Sequence, residues 1–218
     1  MMYDTTAGAA VRTRSLLGQV LVITAGALII SAIAAYALPA QGRMIAWGSL
    51  ILGFVLLFAI QGTRANQGLS LGLFYLFAFL EGVGLGPTIQ YYIATIGASQ
   101  VGQAALTAGV GMGLLGALVY TSTFDFRRIA GIAFAALIGL VVIGIASIFF
   151  HFIQPATYSW LTLIVFAGLT LVDFARVRAS APYDTAVTLA VSIYLDFVNI
   201  FLALLQLFGN ASGSRRND

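Results

Sequence analysis

Long apolar runs separated by short polar breaks organise this chain. Seven runs, near 16–38, 44–61, 69–96, 104–123, 129–152, 157–177 and 186–208, are each about as long as a helix that crosses a bilayer. The residue-by-residue alternation of outer-membrane barrel strands is missing. The pattern predicts an all-α integral membrane protein, a seven-transmembrane helix bundle forming one domain over residues 1–218. Its small, polar ends, about 1–10 and 211–218, are expected to fray.

The last run carries a polar stripe. At 100° per residue Thr188, Ser192, Asp196, Asn199 and Gln206 fall within an arc of about 80° on an otherwise aliphatic and aromatic helix. Such a stripe faces protein or water rather than lipid. An ionisable residue inside it marks a candidate functional site, because a central charge costs roughly 2.5–3.5 kcal/mol to insert. The competing reading is hydrogen bonding that holds helices together.

A second acid, Asp173, lies in the preceding run. Asp173 stands nine residues before Pro182 and Asp196 fourteen after it. In an antiparallel helical hairpin their depths therefore differ by about 7 Å, close enough to share a site. Two neighbouring carboxylates would titrate as a pair in two steps, unless a nearby cation held both ionised. Arg64, at the inner end of the second run, has a compatible depth for that cation; as a plain loop arginine it would need no partner. Arg176, at i,i+3 from Asp173, offers the simpler alternative of an interfacial ion pair.

The third run holds Glu81 near mid-membrane, followed by Gly82, Gly84, Gly86 and Pro87. The glycines predict close helix approach, and the proline a break whose freed carbonyls need protein or a cavity around them. Gly109, Gly113 and Gly116, with Ala105, predict tight packing of the fourth run. His151 is placed at the outer end of the fifth, an interfacial position.

Composition narrows the chemistry. The chain is 61% hydrophobic and 8% charged, leaving no room for a separate soluble domain. With no cysteine, thiol catalysis, disulfides and thiolate metal sites are excluded; with no lysine, so is a retinal Schiff base. One histidine cannot build a zinc site alone. A formal charge of +3, spread as scattered arginines, gives no sign of nucleic-acid binding.

Arginine placement orients the bundle. With the N-terminus inside, Arg12, Arg14, Arg64, Arg127, Arg128, Arg176 and Arg178 are inside and Arg43, Arg215 and Arg216 outside, which predicts an inside N-terminus and an outside C-terminus. The first run also imitates a secretory signal, with Arg12 and Arg14 before it and Ala35-Tyr-Ala37 near its end. Its apolar length exceeds the 7–15 residues typical of a signal, so a retained helix is expected.

Two segments resemble the Bax inhibitor-1 (TMBIM) family, particularly its bacterial members: Phe79-Leu-Glu-Gly-Val-Gly-Leu-Gly-Pro87 with Tyr91-Tyr92, and Ser192-Ile-Tyr-Leu-Asp-Phe-Val-Asn-Ile-Phe201. Val172-Asp-Phe174 fits too. The resemblance implies a bundle with a central last helix, in a bacterial inner membrane. It also implies a pH-sensitive Ca²⁺ leak governed by two aspartates, here Asp173 and Asp196, with Arg64 as the latch. Some relatives instead bind a membrane-bound AAA protease. The charged C-terminal tail of eukaryotic members is missing.

The leading expectation is therefore a cation leak in which Asp173 and Asp196 transiently meet Ca²⁺, with Glu81, Ser192, Asn199 and Gln206 as supporting polar groups, and with no cofactor and no enzyme activity. The alternative is a non-conducting regulator of another membrane protein. An intramembrane aspartyl protease is disfavoured, because the aspartates stand in Val-Asp-Phe and Leu-Asp-Phe rather than in Tyr-Asp and Gly-x-Gly-Asp motifs.

Overall fold

Apolar runs this long must satisfy every backbone polar group internally once they are in lipid, and the helix does so with local hydrogen bonds. A computed structural model describes the backbone of residues 5–38, 42–180 and 184–214, with side chains from residue 16 to 211 in the same stretches. Among the described residues there are seven α-helices and no strand: α1 (Thr5–Ala37), α2 (Arg43–Gly62), α3 (Gln67–Ile96), α4 (Ala98–Thr121), α5 (Ala130–Phe150), α6 (Pro155–Ala179) and α7 (Ala186–Ser214). All seven are long and apolar enough to cross a membrane; α7 is the most buried of them and α5 the least. The protein is an integral membrane protein.

Several boundaries differ from the apolar pattern. Residues Thr5 to Ala10 and 211–214, expected to fray, are helical, because small polar residues without proline do not stop a helix already nucleated. Pro87 does not break α3, which runs through it. A 3-10 turn (Phe126–Ile129) leads into α5, and Asp125 caps that turn by accepting from the Arg127 N–H. α5 ends at Phe150 because His151 adopts the left-handed conformation, φ 49°. Pro155 opens α6, where its missing N–H costs no helical hydrogen bond. α7 begins where Thr185 and Thr188 cap one another, each hydroxyl accepting from the other's backbone N–H at 3.1 and 3.0 Å.

Two compact units divide the chain, one of Met1–Tyr91 with Arg176–Tyr194, the other of Tyr92–Ala175 with Leu195–Asp218. In the first, Tyr194 is fully buried edge-on to Phe74 and Phe77, with ring centroids 5.6 and 5.7 Å apart. Its hydroxyl lies 2.6 Å from that of Ser31, which also reaches the Ala78 carbonyl at 2.7 Å. The glycines of α3 open two opposite flanks. Gly82 and Gly86 lie against α1, at Ser31, Ala34 and Ala35, and Gly84 lies against α2, at Leu50 and Ala46.

In the second unit α4 buries Ala104, Ala108, Met112, Gly116 and Val119. This face is offset from the glycine stripe the sequence suggests. Gly113 is exposed with open space around it, and only Gly116 makes a close approach, against the Phe174 ring. α5 leaves Ile132, Val142, Ile148 and Phe150 exposed, a surface suited to lipid rather than water.

Candidate functional site

The second unit brings two antiparallel helices together along a polar seam. Asp196 on α7 is a hydrogen-bond neighbour of the Thr170 hydroxyl of α6, which also reaches the Phe166 carbonyl at 2.7 Å, and it lies within electrostatic reach of Asp173, one turn further along α6. Both carboxyl groups are buried, with 7% of Asp173 and 3% of Asp196 exposed. The Asp196 Oδ2 atom is buried with no hydrogen-bond partner among the described residues. The two aspartates that the sequence singles out are thus within electrostatic reach of one another.

Farther along the seam Ser159 of α6 donates to the Gln206 carbonyl oxygen of α7. Ser159 and Thr170 are eleven residues apart and Asp196 and Gln206 ten, matching rises of about 15–17 Å. One continuous antiparallel register therefore joins the two contacts. It places Asp173 about one turn, rather than 7 Å, from the level of Asp196. Between the polar rungs lie buried Phe166, Ile200 and Ala203, with Thr162, whose hydroxyl turns back to the Tyr158 carbonyl of its own helix at 2.9 Å. Asn199 is half-buried and turns its amide to its own helix, donating to the Leu195 carbonyl at 2.8 Å. Ser192 does likewise toward Thr188 at 3.4 Å.

The remaining sequence candidates are in the first unit. Glu81 is half-buried on α3 and looks toward α2, where a Cβ added at Gly53 would lie 3.9 Å from its Oε2. Arg64 is exposed in the turn after α2. Arg176, the sequence partner of Asp173, makes a 2.6 Å ion pair with Asp184 in the segment before α7. The side chains of Arg12, Arg14, Arg215 and Arg216, and all of Pro182, lie outside the described residues.

Thr170, Ser159, Asp184 and Tyr194 escape the sequence reading. Thr170 had a signal, since a hydroxyl three residues before Asp173 shares its helix face. Tyr194 and Ser159 had none, because each earns its place from a partner on another helix.

Outside the spans, Asp125 in the α4–α5 turn accepts from the Arg127 guanidinium at 2.9 Å, and this hydrogen bond holds its carboxyl at about 2. A depressed carboxyl contributes above the usual carboxylate range, and its contribution fades only as pH falls toward 2. Asp125 therefore supplies no switch near neutrality.

Among the described residues no three His, Asp or Glu side chains converge as a metal site. The pair of aspartates offers a cation hard oxygen ligands from two helices.

Residues 13–213 match the family described as Inhibitor of apoptosis-promoting Bax1. The chain belongs to the Bax inhibitor family. Among its relatives is Inner membrane protein YbhL of Escherichia coli K12, 30% identical over 173 residues, which cover 73% of this chain and 71% of that protein. An uncharacterized protein of Helicobacter pylori J99 is 29% identical over 170 residues, 75% of this chain and 71% of its own. Uncharacterized membrane protein SpyM3_0260 of Streptococcus pyogenes serotype M3 is 28% identical over 175 residues, 76% and 75%. The match runs from within α1 to within α7 of this Bax inhibitor family member.

Proposed function

We propose that this protein is a pH-sensitive cation leak, passing Ca²⁺ down its gradient under control of the Asp173–Asp196 pair. The observation that carries the reading is a pair of buried carboxyl groups within electrostatic reach of one another, one oxygen of which is without a partner among the described residues. A group that only glues helices together would be expected to spend its hydrogen bonds on the neighbouring helix. A carboxylate oxygen left over is available to a cation or a proton. Two carboxyl groups supply hard oxygen ligands suited to Ca²⁺, too few for tight storage and enough for transit. Protonation of either carboxyl removes charge that attracts the cation, so occupancy by Ca²⁺ and by protons compete.

Purified protein in Ca²⁺-loaded liposomes tests this directly. A slow outward flux above that of empty vesicles is expected. Vesicles no leakier than empty ones across the physiological pH range would leave the alternative, a non-conducting regulator of a membrane protein such as a membrane-bound protease. Arg64 enters through the resemblance alone, as a latch. If Arg64→Ala leaves the pH profile of the flux unchanged, that role is removed.

We place the protein in a bacterial inner membrane with its N-terminus inside, on the seven-to-three arginine asymmetry and on its likeness to Inner membrane protein YbhL of Escherichia coli. Reporter fusions at Gly8 and Ser214 should report opposite compartments, inside and outside. Both reporters on one side would refute seven spans in the membrane.

A further inference from the structure

At the end of the α6–α7 seam away from Asp173, the second unit encloses an open pocket of about 860 Å³. α5 and the α5–α6 turn form much of its wall, and Ser147, His151, Gln154, Tyr158 and Gln206 contribute polar groups among apolar ones. Two of these have unspent hydrogen-bonding capacity. The Ser147 hydroxyl is buried with no partner among the described residues. Gln206 uses its carbonyl oxygen on Ser159, which leaves its two amide N–H donors for another acceptor. A roomy site with converging polar groups and an unsatisfied buried hydroxyl suits water, which needs two to four polar partners to stay.

We propose that this pocket is a water-filled vestibule, and that the seam from Gln206 and Ser159 to Asp196 is the path by which hydrated cations reach the carboxylate pair. The path rests on the leak reading given above. Along it the Ser159–Gln206 rung is the polar entrance. Phe166, Ile200 and Ala203, all buried, form the apolar stretch before Asn199, Thr170 and Asp196. A short apolar constriction between wet segments excludes water and ions until it widens. Phe166 is its bulkiest member and therefore the barrier. With the N-terminus inside, the vestibule opens outward.

The chain has no cysteine, so single cysteines report their own accessibility. Ser147→Cys, Ala203→Cys, Gln206→Cys and Asn199→Cys are placed in oriented proteoliposomes, with Ile164→Cys as a control on the exposed face of α6. A charged, membrane-impermeant thiol reagent is added from outside. Ser147→Cys and Gln206→Cys should react much faster than Ile164→Cys, while Asn199→Cys stays protected. Phe166→Ala should then expose Asn199→Cys and raise Ca²⁺ flux roughly tenfold. Because serine and cysteine are nearly isosteric, the test survives intolerance at Gln206. Protection of Ser147→Cys and Gln206→Cys to the level of Ile164→Cys, as a lipid tail filling the pocket would give, overturns the vestibule even if the vesicles leak. Reactive cysteines in vesicles that pass no Ca²⁺ overturn the leak reading and the path with it, and leave the vestibule standing. Flux unchanged by Phe166→Ala removes Phe166 as the barrier.

Discussion

Asp196→Asn should flatten the pH dependence of Ca²⁺ flux in proteoliposomes, Asp173→Asn should do the same, and the double variant should add little. The reason is that the two carboxyl groups are buried within electrostatic reach of one another, and in a site they share a bound proton belongs to the pair. Like charges in such a pair disfavour each other's ionised form, so the two protons leave in separate steps. Replacing either aspartate by asparagine deletes that interaction with little change in volume. A change of roughly tenfold or more in flux across the wild-type transition is therefore expected to vanish in each single variant. Independent, additive effects, or single variants that keep the wild-type profile, would contradict a shared site and return Asp196 to the role of a hydrogen-bonding residue. Thr170→Val adds a finer test. It removes the hydroxyl that contacts Asp196 and keeps the shape, so the pH profile should move while the fold persists.

That the site was partly legible in the sequence follows from what each kind of signal encodes. Asp173 and Asp196 stand out because a charge among hydrocarbon is improbable without a reason, and their pairing follows from helical rise alone. The antiparallel register is harder to read. It is set by Ser159–Gln206 and Thr170–Asp196, contacts between helices that no periodicity within one helix reveals. The i,i+3 spacing of Asp173 and Arg176 points to an ion pair, and it gives no sign of the carboxylate that Asp184 offers Arg176 at 2.6 Å from the next segment. Helix number was legible because bilayer thickness fixes the length of a run. Helix ends were less so: His151 stops α5 through a left-handed backbone, a conformation uncommon outside glycine but accessible to histidine. Likewise the buried face of α4 follows Ala104, Ala108 and Met112 rather than the glycines, because alanine packs as closely as the neighbouring helix demands there.

Gly82→Ala should cause the largest loss of stability of any glycine-to-alanine change among the described residues. A Cβ at position 82 would lie 2.8 Å from the Ser31 Cα and 2.9 Å from the Ala34 Cβ, and closer still to the Ser31 carbonyl oxygen. Two of those three atoms are α1 backbone, which cannot swing aside as a flexible side chain can. Alanine in a helix interior gains about 0.8–1 kcal/mol over glycine in propensity. Overpacking a rigid contact costs typically 1–3 kcal/mol and occasionally more, so the clash wins. The same displacement would strain the Ser31–Tyr194 hydrogen bond, since Ser31 is the residue pushed. Gly72→Ala, on the same helix with nothing within 4 Å of the added carbon, is the control and should be neutral or slightly stabilising. Thermal unfolding in detergent, followed by loss of the monodisperse peak, reads both variants. A fall in midpoint for Gly82→Ala with none for Gly72→Ala is expected. Equal midpoints would mean that α1 and α3 are not held at this distance, and that the glycines of α3 serve some purpose other than close approach.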